Sequence, residues 1–444
     1  MYFLYSILLT IGFLLLTPLF LIRREKYASG FSERLGNYPR FVFDGRSVIW
    51  LHCVSVGETN AARPLVEEIK KNFRNHRLVI STTTKTGQEL AQTIFGGKAD
   101  AVVYFPFDFK FSVRRAIDHF KPSLVLLMET EIWPRFIREA KLSGARVSIV
   151  NGRLSERSAS RYSLIRPFIS RVLADIDLAL MQGSSDANRL ISLGLQSSKA
   201  HITGNLKFDL GLADAEHRIT DELRDRFALD GTRPLVVAAS THEPEESYAL
   251  EAFCSAAVNA DPTPRLLIAP RHPERFDSVA RLVDQFRTDP ANEWRDYTFT
   301  RRSREASDAD KDTDVILLDT VGELRAVYPL ADIVFVGGSL IPHGGQSILE
   351  PAAAGKAIIT GPHTHNFTDA VKVFLANQAL IQLPESRDEI IVDNLFDAIS
   401  DLLEDEDRRR ELGRNALSVM TANRGATRNT IEQLSRLAAE SSKL

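Results

Sequence analysis

The stretch "SVIWLHCVSVGETNAARPLVEEIKKNF" (residues 47–73) decides the fold. It opens with a short apolar run rich in β-branched residues, the pattern of a strand buried on both faces. Gly57 lets the chain turn tightly, and an amphipathic helical stretch is expected to begin near Thr59 or Asn60. The same unit then repeats. "RLVIST", "AVVYFP", "SLVLLME", "RVSIVN" and "LALMQG" read as further strands with helical patterns between them. The alternation restarts with "RPLVVAAST", "RLLIAP", "DVILLDT", "ADIVFVGG", "KAIITG" and "ALIQL". Such alternation implies parallel βαβ units. The expected class is therefore α/β, with two doubly wound halves facing one another across a cleft and joined near Asp209–Thr220.

Residues 287–312 are polar and charged, and read as partly a short strand and partly an exposed loop. After about Asp401 the pattern is helical again, with Gly413 expected to cap a helix. The chain has 444 residues and a formal net charge of -3, which suits two domains and gives no basic footprint for nucleic acid. Its two cysteines, Cys53 and Cys254, lie far apart, as in a reducing compartment. Residues 1–22 carry no charged side chain and are followed by Arg23, Arg24 and Lys26. About 20 apolar residues suffice to span a bilayer, and the basic flank then places the body in the cytoplasm. A cleaved signal peptide would carry its basic residues before the apolar core. The expected plan is a membrane anchor (1–22), a first domain (23–212) and a second (213–444), whose last helix can return to the first.

In open α/β sheets, ligands bind at the carboxyl ends of strands, so the residues after strands carry the chemistry. "HCVSVGETNAARP" (52–64) places Glu58 at a strand-to-helix turn. An acid favoured by the helix dipole would explain Glu58 alone, and from this stretch both readings stand. "LVLLMETEIWP" (124–134) supplies Glu129 and Glu131, and "TGNLKFD" (203–209) supplies Lys207. In the second half, "IAPRHPERF" (268–276) ends a strand with Pro270, Arg271 and His272. Arginine's rigid fork suits phosphate or carboxylate. "DTVGEL" (319–324) adds Val321, Gly322 and Glu323. "VGGSLIPHGGQSILEP" (336–351) adds glycines and a helix expected to start at Gln346 or Ser347, with Ser347, Ile348, Leu349 and Glu350 in its first turns. A carboxylate among apolar neighbours, Glu350 needs water or a partner. The acidic pairs at 175–177 and 308–310 lie at a strand entry and in a charged loop, the "HTH" at 363–365 has no evident third ligand, and no metal is expected. No glycine-rich dinucleotide fingerprint and no P-loop is present.

Taken together, the segments resemble the 3-deoxy-D-manno-octulosonic acid (Kdo) transferases of lipopolysaccharide synthesis. The likeness rests on "ERLG" (33–36), "HCVSVGE", "STTTKTG" (81–87), "FPFD" (105–108), "METEIWP", "NGRLSERS" (151–158), "GNLKFD", "STHEPEE" (240–246), "APRHPERF", "VGELRAVY" (321–328), "GGSL" and "GPHTHNF" (361–367). It covers nearly the whole chain. The chain departs from the family's pattern at Gln346-Ser347, where His-Asn is frequent, and at "YFPFD", where "YLPYD" is. The resemblance implies the GT-B architecture of two Rossmann-like domains. It also implies transfer of Kdo from CMP-Kdo to a lipid A precursor at the cytoplasmic face of the inner membrane, without a cofactor. Glu58 is then the general base, and Glu129 and Lys207 stabilise the transition state. Pro270, Arg271, Val321, Gly322, Glu323 and Ser347 through Glu350 contact CMP. The alternatives are a transferase using another nucleotide sugar and a non-catalytic, membrane-anchored sugar-binding protein.

Overall fold

The computed structural model describes residues 1–22, 29–209, 214–258, 260–289 and 297–441. The basic flank Arg23, Arg24 and Lys26 lies outside the described residues, as do parts of the expected join and of the 287–312 loop. The chain forms two compact units, one of residues 1–210 with 423–444 and the other of residues 211–422.

The first unit is built on β1 (Ser47–Cys53), β2 (His76–Thr82), β3 (Ala101–Tyr104), β4 (Pro122–Met128), β5 (Arg146–Gly152), β6 (Leu178–Met181) and β7 (Ala200–Ile202). Their order is β3-β2-β1-β4-β5-β6-β7, all parallel. Successive side chains of a strand point to opposite faces, and here both sets are apolar. Val48, Trp50, Val125 and Leu127 enter one core, while Ile49, Leu51, Leu124 and Leu126 enter the other. The indole N–H of buried Trp50 is satisfied by Ser81 Oγ at 2.8 Å. Edge strand β7 has no counterpart among the expected strands, because "AHI" is too short to show a pattern.

The second unit repeats the plan with β8 (Leu235–Thr241), β9 (Arg265–Pro270), β10 (Phe299–Arg301), β11 (Val315–Leu317), β12 (Ile333–Val336), β13 (Ala357–Thr360) and β14 (Ile381–Gln382). Their order is β10-β11-β9-β8-β12-β13-β14, again parallel. Strand order reverses between β1 and β4 in one sheet and between β8 and β12 in the other. These are the switch points at which such sheets bind ligands.

One local expectation is corrected. Gly413 does not cap a helix, for it lies inside the helix Glu406–Ala422. A Cβ there would meet the Gly355 carbonyl oxygen at 2.2 Å, so the glycine is required by close backbone approach. The N-terminal helix Tyr2–Ile22 forms, yet among the described residues no helix is long and apolar enough to cross a membrane. One side of this helix is bonded to the first unit. The Tyr2 hydroxyl donates to Asp175 at 3.2 Å, Tyr5 donates to Asp108 at 2.7 Å, and the Arg135 guanidinium donates to Ser6 Oγ and the Tyr2 carbonyl.

The helix Ala426–Ser441 belongs to the first unit, and Leu434 and Leu437 join the core that holds Ile49 and Leu51. Its start is fixed by Asp209, whose carboxylate accepts from the amides of Gly425 at 2.7 Å and Thr427 at 2.5 Å. Free amides at a helix start cost stability when unpaired. Asp209→Ala is expected to speed amide hydrogen exchange across 426–441 by roughly tenfold, the equivalent of losing a charged cap worth about 1–2 kcal/mol.

Candidate functional site

Chemistry-bearing residues gather after the strands that flank each switch point. In the first unit, β1 leads into the helix Val56–Ala61. This helix starts earlier than the sequence suggested, so Glu58 lies within its first turn rather than before it. The turn folds the Glu58 carboxylate back on its own chain. Oε2 accepts from the Val54 amide at 2.8 Å and Oε1 from the Ser55 hydroxyl at 3.3 Å. Glu58 is 6% exposed. Burial pushes its carboxyl up to about 8, the Val54 amide opposes this, and the charges of Glu129 and Glu131 add to it. A carboxyl poised there can exchange protons near neutral pH.

Glu129 follows β4 directly, with its amide donating to the Val150 carbonyl at 2.9 Å. Its φ is 52°, a left-handed conformation that costs a non-glycine residue about 1–2 kcal/mol. The Lys207 ammonium stands 3.6 Å from the Glu129 carboxylate. Lys207 comes from the 3₁₀ turn Leu206–Asp209, itself held by the Asn151 side chain, which accepts from the Leu206 amide at 2.9 Å. Asn151 is also left-handed, with φ 54°. Burial, and then Glu129, raise the carboxyl of Glu131. Thr130 Oγ1, Trp133 Nε1 and Asn151 Nδ2 are buried without a hydrogen-bond partner among the described residues. Buried groups of this kind are completed by water or by a ligand when the protein does not complete them. The structure thus brings Glu58, Glu129, Glu131 and Lys207 to one edge of the first sheet, and it adds Asn151, which the sequence showed only as part of "NGRLSERS".

In the second unit, Pro270 ends β9 and the Arg271 amide donates to the Thr241 carbonyl at 3.0 Å, leaving the guanidinium exposed. Val321 is 78% exposed and Gly322 has φ 90°. The Glu323 carboxylate is already held by Arg302, at 3.0 and 3.1 Å, and by the Thr320 hydroxyl at 2.5 Å. What that turn offers a ligand is therefore its backbone and Val321 rather than the acid. The helix expected from Gln346 or Ser347 starts at Leu349, with Ile348 as its cap. Ser347 lies in the irregular stretch before it, and Ile348 and Leu349 are buried. Glu350 stands in the first turn, 3.8 Å from the Arg325 guanidinium, which also meets Glu216 at 3.0 Å. Among the described residues no group of three or more His, Cys, Asp or Glu side chains could hold a metal ion.

Three kinds of likeness bear on this geometry. A family model described as 3-deoxy-D-manno-octulosonic-acid transferase (kdotransferase) matches residues 29–210. A protein of Haemophilus influenzae named 3-deoxy-D-manno-octulosonic acid transferase is 35% identical over 415 residues, 93% of this chain and 92% of that protein. A protein of the same name from Bordetella pertussis is 33% identical over 392 residues, 87% of this chain and 86% of that one. Among solved structures, a UDP-GlcNAc 2-epimerase from Neisseria meningitidis matches with a TM-score of 0.57 at 14% identity, covering 88% of this chain and 100% of that chain. That last likeness shows the two-sheet GT-B-like fold alone. Identity of this extent over nearly the full length settles the family: the chain belongs to the 3-deoxy-D-manno-octulosonic acid transferases.

Proposed function

We propose that the enzyme transfers Kdo from CMP-Kdo to a hydroxyl of a lipid A precursor, with Glu58 as the general base. The observation that carries this assignment is a buried carboxyl raised to about 8 beside Glu129 and Glu131, at the switch point of its sheet. In this reading Glu58 takes the proton from the acceptor hydroxyl as its oxygen attacks the anomeric carbon of Kdo. The bond from that carbon to the phosphate oxygen breaks, and its electrons leave on CMP. Glu129 and Lys207 stabilise the charge that develops at the transferred sugar, and Arg271 with the backbone around Gly322 and Ser347 receives the nucleotide. The Arg325–Glu350 pair gives Glu350 a cationic neighbour from which to offer an oxygen to a ribose hydroxyl. No step in this scheme calls for a metal or cofactor.

An acylated acceptor implies contact with a membrane, and we assign it to the N-terminal helix at the cytoplasmic face of the inner membrane. Leu4, Leu8, Ile11 and Leu15 are 49–75% exposed. They recur at three- and four-residue spacing, which places them on one stripe. Leu8→Asp with Ile11→Asp is expected to weaken co-flotation with phospholipid vesicles by at least about tenfold.

Glu58→Gln should lower kcat about 10²–10⁴-fold. The same variant has a signed effect on stability. With its pKa raised from 4.5 to about 8, the folded protein keeps a proton that the unfolded chain has released. This group therefore costs stability progressively as pH climbs through that window. Glu58→Gln should melt with the wild type at pH 5 and above it at pH 8, as read by differential scanning calorimetry. Glu129→Gln removes one of the charges that raise Glu58, so the alkaline rise of kcat with pH should move to lower pH.

A further inference from the structure

The loops leaving β8, β9 and β12 at the second sheet's switch point each carry one histidine: His242, His272 and His343. Their rings meet. The centroids of His242 and His272 are 5.3 Å apart at 83°, and those of His242 and His343 are 4.2 Å apart at 40°. His242, at the centre, is 7% exposed, and neither ring nitrogen makes a well-formed hydrogen bond among the described residues, the Ser240 backbone interacting with the ring only in part. Leaving a buried imidazole unpaired is costly, and such a group marks a place completed by something else.

The charges around the cluster say what that is. Burial and then the like charges of His343, His272 and Arg271 push the His242 pKa down to about 4, with the Ser240 backbone opposing only in part. The carboxylates nearby are committed or remote. Glu245 accepts the His242 backbone N–H at 3.0 Å and spends its remaining capacity on the amides of Gly338, Ser339 and Leu340. Exposed Glu274 lies 3.8 Å from His272 Nδ1. Three imidazoles and a guanidinium thus converge, and among the described residues no carboxylate forms an ion pair with the His242 ring. The chain also stays close around the cluster. A Cβ at Gly338 would stand 3.5 Å from the His242 ring, and one at Gly344, where φ is 102°, would meet Asn366 at 2.3 Å.

We propose that these three histidines seat the anionic end of the donor, its phosphate or its sugar carboxylate, and that an imidazole of the cluster takes up a proton as the anion binds. The inference rests on the nucleotide-sugar reading above. An arriving anion supplies the missing counter-charge, stabilises the imidazolium and satisfies an orphaned nitrogen. Affinity then falls as pH rises between the free and anion-bound pKa values of the cluster.

The test is isothermal titration of CMP, cytidine and free Kdo into the full-length protein, at pH 6 and 7.5, in buffers of different ionisation enthalpy. Proton uptake is expected with CMP, with affinity weaker by about threefold to tenfold at the higher pH. Uptake with Kdo and not CMP would identify the carboxylate as the anion, and cytidine should give none. His242→Gln should abolish the uptake and flatten the pH dependence. His343→Gln, on an exposed ring, should reduce both and guards against misfolding of the buried variant. Unchanged affinity and proton count in both variants would overturn the proposal, while Kdo transfer by the same wild-type preparation would leave the donor reading standing. Failure of the wild type to bind any of the three ligands or to transfer Kdo would overturn both.

Discussion

The second unit depends on one buried carboxylate. Glu245, with no exposed surface, accepts four backbone amides, one from its own turn and three from the loop after β12. An ionised group in such a place is stable only when its acceptor sites are filled. Burial raises the carboxyl's pKa on balance, and the four amides offset part of that rise. The consequence is geometric. Two loops from strands adjacent at the switch point are tied through a single side chain, so His242 and the glycine-rich segment bearing His343 hold fixed positions. Glu246, one residue on, is likewise fully buried and meets Arg275 at 3.1 Å. Much of what the second sheet offers a ligand is therefore set by acids that never touch it.

The first unit reaches its site by a different route. Only the Val54 amide meets Glu58 there, and the acids are kept close to one another, with one lysine among them. Left-handed backbone at Glu129 and Asn151 and a carboxyl forced toward its neutral form at Glu58 all oppose stability. They persist because the apolar strands beneath them bury side chains on both faces and can outweigh a few kcal/mol of local cost. Strain of this size at strand ends, and little beneath them, is what a preorganised site requires.

This division explains what the sequence could disclose. Runs such as "SVIWLH" and "SLVLLME" announce parallel strands because both faces are apolar, and Glu58, Glu129 and Lys207 stand out as charges placed directly after such runs or near the join. Local patterns end there. Helix starts at Val56 and Leu349 carry no side-chain cap that a sequence pattern could announce, and they moved by several residues. Gly413 looked like a cap because its true reason, the Gly355 backbone opposite, lies far away in the chain. The partners of Glu323 and Glu350 are arginines at positions 302 and 325 that no spacing rule connects to them. The histidine cluster was invisible for the same cause: its rings come from three separate motifs, and only the sheet order brings them together. The apolar N-terminal run gave its helix readily, while the polar bonds that fasten one side of it to the first unit were not foreseeable from the run itself.

The return of the helix Ala426–Ser441 to the first unit has a consequence for synthesis. Asp209 emerges from the ribosome long before the amides of Gly425 and Thr427 that it binds, with the entire second unit translated in between. At about 5–20 residues per second that interval is roughly 10–40 s. During it, the core around Ile49 and Leu51 lacks Leu434 and Leu437 and exposes the apolar surface they will cover. The first unit is thus begun first and completed last, and in a nascent chain stalled before residue 426 that apolar surface has no cover.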